Sequence, residues 1–348
     1  MNQSQSASLE GGTPGRIARH LARFSRQRLG RQAGLMTLLM LACLSTLLLT
    51  ADNYVLRLAT TVAMYATLTW SWNLIGGYAG YPSFATAAFF GLGAYAAGSL
   101  QAAGVPFALA WPLAALLAAI FAGLMGLAIL HLRGHYFAIA SLVIADVLRE
   151  VTNVWTDVTG GGMGLSLPLL DVGGVDEQSQ FYFLAMLLTA LMAFAISWWV
   201  MRSRLGVALS CIEQNEDAAQ VIGIDTRASK VKAFILSGLV AGAAGAVYAS
   251  WVTYIDPTDV YDVSISVKPI VMALIGGVGT LMGPLIGALV FLGLEELFWR
   301  NVLEFHAGLL GMLVVALVLF LPGGVREARW FNVIHGTQRI IRRSRRAS

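Results

Sequence analysis

Long apolar runs separated by short polar segments dominate the sequence. A helix that crosses the hydrocarbon of a bilayer needs about 20 mostly apolar residues, and about ten runs approach that length. The pattern therefore predicts an all-α integral membrane protein, a polytopic bundle of about ten transmembrane helices. The predicted spans are residues 34–51, 54–76, 82–102, 106–132, 136–157, 180–201, 231–255, 263–279, 281–299 and 306–322. The third and eighth are short or interrupted by glycine, which leaves open whether each is a full crossing.

One longer segment between the spans, from Arg202 to Lys232, is polar and helix-forming. It contains Glu213, Glu216 and Asp217 and carries basic residues at both ends. A polar helix of this kind on an otherwise apolar chain predicts a contact surface for a soluble partner.

Composition agrees with a membrane protein. Of 348 residues, 57% are hydrophobic and 12% are charged, whereas a soluble domain carries about 25% charged residues. The 37 glycines fit closely packed transmembrane helices. Two cysteines indicate neither a disulfide framework nor a metal site. The net charge of +4 is concentrated at the two ends of the chain, a pattern typical of lipid headgroup contacts and not of nucleic-acid binding.

Charge distribution predicts which loops share a side of the membrane. The basic tails, Arg133 and the 202–232 segment are expected in the cytoplasm, so both termini lie there. The acidic loops 158–180 and 256–262 are expected outside. Ten crossings satisfy these assignments together.

Few charges fall within the predicted spans. Asp146, Arg149 and Glu150 share one helical face of the fifth span. Because a charge at this depth costs about 3 kcal/mol, the face should contact protein or water. An Asp146–Arg149 ion pair is one interpretation, a polar lining of a transport pathway is another, and a proton relay is a third. Lys268 is expected to pair with Asp262.

Two glycine-rich breaks occupy similar places in the two halves of the chain. The first break is residues 76–80 and the second is residues 276–279. Interrupted helices at matching positions often mark a transport pathway. Two unrelated tight turns are the alternative.

Motifs for chemistry on the chain itself are missing from the sequence. It contains no Gly-Lys-Ser/Thr phosphate loop, no His-Glu-x-x-His and no Gly-x-Ser-x-Gly. A transporter of this kind is expected to be ion-coupled or driven by an ATPase partner, and it is not expected to be an enzyme.

Four ordered blocks of sequence carry a family resemblance. They are Gly77 to Tyr95, Leu132 to Gly164, Glu216 to Ile224, and Gly276 to Pro284, and Leu321-Pro322-Gly323-Gly324-Val325 follows them. Together they resemble the branched-chain amino acid ABC transporter permeases, on the LivM-like side. Thr86 and Pro82 depart from the family pattern, in which histidine and an aliphatic residue are usual, and this leaves the transported compound open. The family also includes permeases for urea, short amides and aromatic acids.

The resemblance implies an importer permease domain at residues 34–325, between basic cytoplasmic tails at 1–33 and 326–348. It implies a coupling helix at about 205–226 that binds the ATPase. The coupling candidates are Glu213, Glu216, Asp217, Ala218, Ala219 and Gly223. The pathway candidates are Ser83, Thr86, Asp146, Arg149, Asn153, Gly276 and Gly277.

The resemblance also implies a location, the bacterial cytoplasmic (inner) membrane, and a set of partners. They are a homologous permease in a heterodimer, two ATPase subunits and an extracytoplasmic substrate-binding protein. No cofactor is expected on this chain because the partner subunits bind the ATP, and no metal site is expected either. An ion-coupled secondary carrier is the alternative of another class.

Overall fold

The computed structural model describes residues 52–168 and 174–301, which are mostly helical. The long helices are α1 (Asn53–Trp72), α2 (Thr86–Ala102), α3 (Phe107–Ile129), α4 (His135–Val154), α6 (Val175–Arg202), α9 (Thr226–Val252), α11 (Val263–Gly276) and α12 (Gly283–Asn301). The short helices are α5 (Thr156–Thr159), α7 (Arg204–Gln214), α8 (Glu216–Val221) and α10 (Pro257–Val260). Two short strands, β1 (Leu165–Ser166) and β2 (Tyr254–Ile255), pair antiparallel.

The eight long helices coincide with the second to ninth predicted spans, with boundaries shifted by a few residues. The first and tenth predicted spans lie outside the described residues. Three described helices are long and apolar enough to cross a membrane: Phe107–Ile129, Asp176–Arg202 and Thr226–Val252. At 17 and 14 residues, α2 and α11 rise only about 25 and 21 Å, less than the roughly 30 Å of a bilayer core.

Helix α9 is the centre of the bundle and packs against α1, α2, α3 and α6. Its glycines permit backbone contact, as small residues do in membrane helices. A Cβ on Gly242 would lie 2.4 Å from the Cβ of Ala118 on α3. A Cβ on Gly93 of α2 would lie 2.2 Å from the carbonyl oxygen of Gly242. Larger side chains at these positions would force the three helices apart.

Helix α3 buries most of its alanines and exposes its leucines. The buried positions include Ala114, Ala118 and Ala122, which recur every fourth residue towards α9. The exposed large hydrophobic side chains are Leu109, Leu113, Leu116, Leu117, Ile120, Leu124 and Leu127. An exposed face of this composition is matched to lipid.

The predicted grouping of loops at two ends of the bundle is confirmed within the described residues. Leu165 pairs with Ile255 across β1 and β2, which brings the two acidic loops together. Arg133 binds Asp217 at 2.9 Å, which brings its loop to the 202–232 segment.

The expected Lys268–Asp262 pair is wrong. Lys268 lies 2.9 Å from Glu295 instead, because the neighbouring helices α11 and α12 bring these side chains together. Asp262 is occupied as the N-cap of α11, where it accepts a hydrogen bond from the Ser264 amide.

Candidate functional site

The polar 202–232 segment folds into α7 and α8. Ser203 caps α7, accepting a hydrogen bond from the Leu205 amide at 3.2 Å. Asn215 separates the two helices in an extended conformation and caps α8, accepting from the Ala218 amide at 2.9 Å. Asn is among the preferred N-cap residues, so the break is encoded locally.

Helix α8 ends at a glycine in the left-handed region. Gly223 has φ +88°. The amide of Ile224 donates to the carbonyl of Ala219, and that of Gly223 donates to Gln220, both at 3.0 Å. This pair of bonds is the Schellman arrangement, in which glycine carries no Cβ penalty. Gly223 therefore ends α8 with a sharp turn.

The inner face of α8 carries a buried ion pair. The ammonium of Lys230 lies 2.7 Å from Oε1 of Glu216, and the two side chains are 3% and 12% exposed. Lys230 also donates to the Tyr81 hydroxyl at 3.0 Å and to the Leu130 carbonyl at 2.9 Å. The hydroxyl of Tyr81 in turn donates to Oε2 of Glu216. We call Tyr81, Glu216 and Lys230 the Glu216 cluster.

The cluster shifts the acidity of its members. Burial alone raises the pKa of Glu216, but hydrogen bonds from Lys230 and Tyr81 and the charges of Lys230 and Arg133 outweigh it, so the pKa lies below its ordinary value. Burial and the hydrogen bond to Glu216 raise the pKa of Tyr81. Glu216 is therefore ionised and Tyr81 remains a donor at neutral pH.

The outer face of α8 is open to solvent. Asp217 and Ala218 are exposed, and Val221 and Ile222 are 87% and 71% exposed. Ala219, by contrast, is 2% exposed. The structure thus places Glu216 and Ala219 on the inside of the predicted coupling segment, and places Asp217 and Ala218 on the outside.

The two glycine-rich breaks are in direct contact. Helix α1 continues as a π-helical turn, Asn73–Gly77, into the first break. The amide side chain of Asn73 donates to the Thr280 carbonyl at 3.0 Å and accepts from the Gly279 amide at 2.8 Å. A Cβ on Gly77 would lie 2.8 Å from the Gly279 nitrogen. One buried asparagine therefore joins the two breaks.

Four of the predicted pathway residues are buried inside the chain. Ser83 and Thr86 are each 2% exposed. Their segment is fixed from both sides, since the Phe84 carbonyl accepts from Ser266 and the Phe84 amide donates to Ser141. Gly276 and Gly277 are also buried. A Cβ on Gly276 would lie 1.8 Å from the Gly283 carbonyl oxygen, so this glycine permits the α11–α12 contact.

The other predicted pathway residues lie on α4 and are more exposed. Arg149 lies 3.4 Å from Asp146 and 3.6 Å from Glu150. The Arg149 and Asp146 side chains are 35% and 49% exposed, so the expected ion pair forms but is not buried. Asn153 is half-buried on the same side of α4. An exposed apolar stripe beside them comprises Tyr136, Ile139, Val143, Val147 and Val154.

A cavity of about 1120 Å³ lies at the end of the bundle remote from α8. Helices α1, α6, α9, α11 and α12 supply its walls, and the Lys268–Glu295 ion pair lies in its lining. Arg57, Tyr65 and Tyr248 also line it. The described residues contain no group of three or more His, Cys, Asp or Glu side chains placed to hold a metal.

Sequence reasoning missed Tyr81, Lys230 and Asn73. Lys230 lies near the basic end of the polar segment and at the start of an apolar helix, a position that is itself a signal for burial with an acid. Asn73 is a polar residue within an apolar span, which is a usual sign of a specific contact.

Comparison with known proteins identifies relatives along most of the chain. A family model described as "Branched-chain amino acid transport system / permease component" matches residues 54–321. The permease LivM of the high-affinity branched-chain amino acid transport system of Escherichia coli K12 is 28% identical over 295 residues, covering 77% of this chain and 69% of the relative. The ribose import permease RbsC of Haemophilus influenzae is 27% identical, covering 56% of this chain and 61% of the relative. The autoinducer 2 import permease LsrC of Yersinia pestis (strain Pestoides F) is 29% identical, covering 36% and 39%. No solved structure matches the chain.

Proposed function

The chain belongs to the family of branched-chain amino acid transport system permease components, and on that premise we propose that it is the transmembrane permease subunit of an ATP-driven importer. The observation that carries the proposal is α8, a short capped helix whose inner face is fastened to the bundle and whose outer face is exposed. Such a helix can receive a force from a soluble subunit and pass it to the transmembrane helices.

The outer face of α8 supports an ATPase partner. Asp217 and Ala218 are exposed there beside Val221 and Ile222. Exposed apolar side chains rimmed by polar ones are typical of an interaction surface. We assign α7 and α8 as the coupling segment for one of two ATPase subunits, which bind and hydrolyse the ATP. The chain itself is a transport subunit and not an enzyme.

Helix α4 supports a second permease. Asp146, Arg149 and Glu150 are only partly covered by this chain, and charges at such depth are expensive against lipid. A homologous subunit, in a heterodimer, would cover this face. The pathway then runs along this face of α4, beside Asp146, Arg149 and Asn153. Ser83, Thr86, Gly276 and Gly277 lie behind that face, in the part of the chain that moves during transport.

We place the protein in the bacterial inner membrane with ten crossings and both termini in the cytoplasm. The acidic loops joined by β1 and β2 then face outwards, where a substrate-binding protein delivers the solute. The cavity that contains Lys268 and Glu295 lies at this end.

The solute we propose is a branched-chain amino acid or a related small polar compound. LivM of Escherichia coli and LivM of Salmonella typhimurium each match 77% of this chain and are named as branched-chain amino acid permeases, whereas the ribose and autoinducer 2 permeases match shorter stretches. Urea, short amides and aromatic acids are the alternative solutes within the family.

Reconstitution tests the function. In liposomes, the permease pair with its ATPase and binding protein should take up radiolabelled leucine only when ATP is present on the ATPase side. This chain alone, under a proton or sodium gradient, should take up none. Gradient-driven uptake without the ATPase would establish an ion-coupled carrier instead.

A further inference from the structure

Both carboxylate oxygens of Glu216 bind residues of the same chain. Its Oε1 binds Lys230 and its Oε2 accepts from Tyr81, while Arg133 approaches Oε2 at 3.7 Å. With both oxygens engaged and 12% of the side chain exposed, Glu216 offers little to a soluble subunit. Its role in coupling must therefore be exerted inwards.

The Glu216 cluster joins parts of the chain that are far apart in sequence. Tyr81 belongs to the loop between α1 and α2, Glu216 begins α8, and Lys230 lies in the first turns of α9. The Leu130 carbonyl that accepts from Lys230 ends α3. The Tyr81 ring also packs edge-to-face on Phe137 of α4, with ring centroids 5.3 Å apart. Five elements thus meet at one buried ion pair.

The loop that holds Tyr81 is continuous with the first glycine-rich break. Gly80 precedes Tyr81 at φ +71°, and a Cβ there would lie 3.2 Å from Cγ of Glu213 at the end of α7. Four residues before Tyr81 is Gly77, which contacts Gly279 in the second break. Asn73 binds that second break through Gly279 and Thr280. A displacement of α8 therefore has a route of direct contacts to both breaks.

We propose that Tyr81, Glu216 and Lys230 are positioning residues that fasten α8 to the α1–α2 loop, and that Asn73 passes the displacement of α8 from that loop to the second glycine-rich break. The inference rests on the proposed function, because it assigns the transmission of ATPase closure to named internal contacts. In this arrangement Asp217, Ala218 and Val221 bind the ATPase. Glu216 couples the movement of α8 to the movement of the two glycine-rich breaks.

Tyr81→Phe is the sharpest test. It removes the hydroxyl that connects Lys230 to Glu216, yet it keeps the ring on Phe137 and over the Lys230 ammonium, which lies 4.4 Å from the ring centroid. The Lys230–Glu216 contact at 2.7 Å also remains. In the reconstituted complex we expect normal membrane abundance, normal ATPase co-purification and continued ATP hydrolysis. Solute transported per ATP hydrolysed should fall about tenfold, the factor that corresponds to one charge-assisted hydrogen bond.

Tyr95→Phe is the matched control. Tyr95 is also a buried tyrosine, 3% exposed, and its hydroxyl donates to the Ile255 carbonyl at 3.5 Å, at the opposite end of the bundle. Its coupling ratio should equal that of the unmodified protein. Equal coupling ratios in Tyr81→Phe and Tyr95→Phe would overturn the proposal, as would a loss of uptake in Tyr81→Phe that only follows lost abundance or lost ATPase binding. An unmodified complex without ATP-driven uptake would instead refute the proposed function itself.

Asn73 tests the second half of the route. Asn73→Ser should lower the coupling ratio without lowering ATPase binding, and Asn73→Ala provides a second variant if serine impairs insertion. Because consecutive links of one route are not independent, the Tyr81→Phe/Asn73→Ser double variant should be little worse than the poorer single variant. Fold-losses that multiply in the double variant would show that Asn73 acts separately from the Glu216 cluster.

Discussion

Removing the Lys230 ammonium should release α8 from the bundle. Lys230 is 3% exposed and its Nζ makes three contacts of 2.7–3.0 Å, to Glu216, Leu130 and Tyr81. Lys230→Met keeps most of the apolar stem but leaves Glu216 charged and 12% exposed. Breaking a buried pair on one side costs about 3–5 kcal/mol. Arg133 lies 3.7 Å from Glu216 and compensates for part of the lost charge. We therefore expect the free energy that holds α8 against the bundle to fall by about 3 kcal/mol, a factor of roughly 150 in the docking equilibrium.

Thiol labelling measures that equilibrium. Ala219 is 2% exposed on the inner side of α8, so a cysteine there reacts only when α8 opens. In an Ala219→Cys chain with Cys43 and Cys211 changed to serine, Lys230→Met should raise the maleimide labelling rate about 150-fold, provided that opening equilibrates faster than labelling.

Two further variants make the Lys230 test selective. Lys232→Met, at an exposed lysine two residues away, should leave the labelling rate unchanged. Adding Glu216→Leu to Lys230→Met should restore much of the protection, because no unpaired charge then remains. If Lys230→Met labels no faster than Lys232→Met, the ion pair does not hold α8 and the energetic reasoning fails.

Three other predictions concern the same end of the bundle and the α4 face. Because Gly223 has φ +88°, Gly223→Ala should destabilise the end of α8 by about 1 kcal/mol and weaken co-purification of the ATPase. Gly223→Asn should bind the ATPase better than Gly223→Ala does. Equal ATPase binding by the unmodified protein and both variants would show that this backbone conformation is not required. Asp146→Ala should change the stability of the single chain by less than about 1 kcal/mol, because the Asp146–Arg149 ion pair is half exposed. The same variant should recover less of the second permease in a pull-down. A large loss of stability with unchanged permease association would show that the ion pair is structural. The pKa of Glu216 is lowered from 4.5, so its stabilisation is complete above that value and is lost as pH falls through the lowered pKa. Hydrogen exchange of residues 216–221, corrected for the intrinsic rate, should therefore be flat at neutral pH and rise only in acid, and a rise near pH 6 would refute this.

The helices were predictable because a bilayer separates apolar from polar sequence so strongly. Eight predicted spans have helices in the described residues, and the polar segment is helical at α7 and α8. The helix ends were also signalled locally, by Asn215 as an N-cap and by Gly223 after α8. The observed helix boundaries differ most from the predicted ones where an N-cap sets the start. Helix α9, for example, starts at Thr226, directly after the Asp225 cap and before the apolar run begins.

The direction of each polar side chain was not predictable from hydropathy. Glu216 and Asp217 are adjacent acids in the sequence, yet one is buried and the other is 74% exposed. Glu216 is held inside by Lys230, 14 positions away, and by Tyr81, 135 positions away along the chain. Pairs at such separation leave no periodic signal in a single sequence. The same is true of Asn73 and Thr280, which lie 207 positions apart.

The burial of Lys230 is itself informative about what the site does. A buried ion pair is a weak source of stability, because apolar residues of similar volume often stabilise as much or more. A buried pair does, however, penalise every arrangement in which one charge loses the other, and the penalty is largest where water is excluded. For α8 this means that small tilts which separate Glu216 from Lys230 are unfavourable, whereas movements that carry Tyr81 and Lys230 along with Glu216 are not. An apolar contact of the same size would let the helix slide. The ion pair therefore fits the proposed function, in which α8 moves as one body with the α1–α2 loop when the ATPase presses on its outer face.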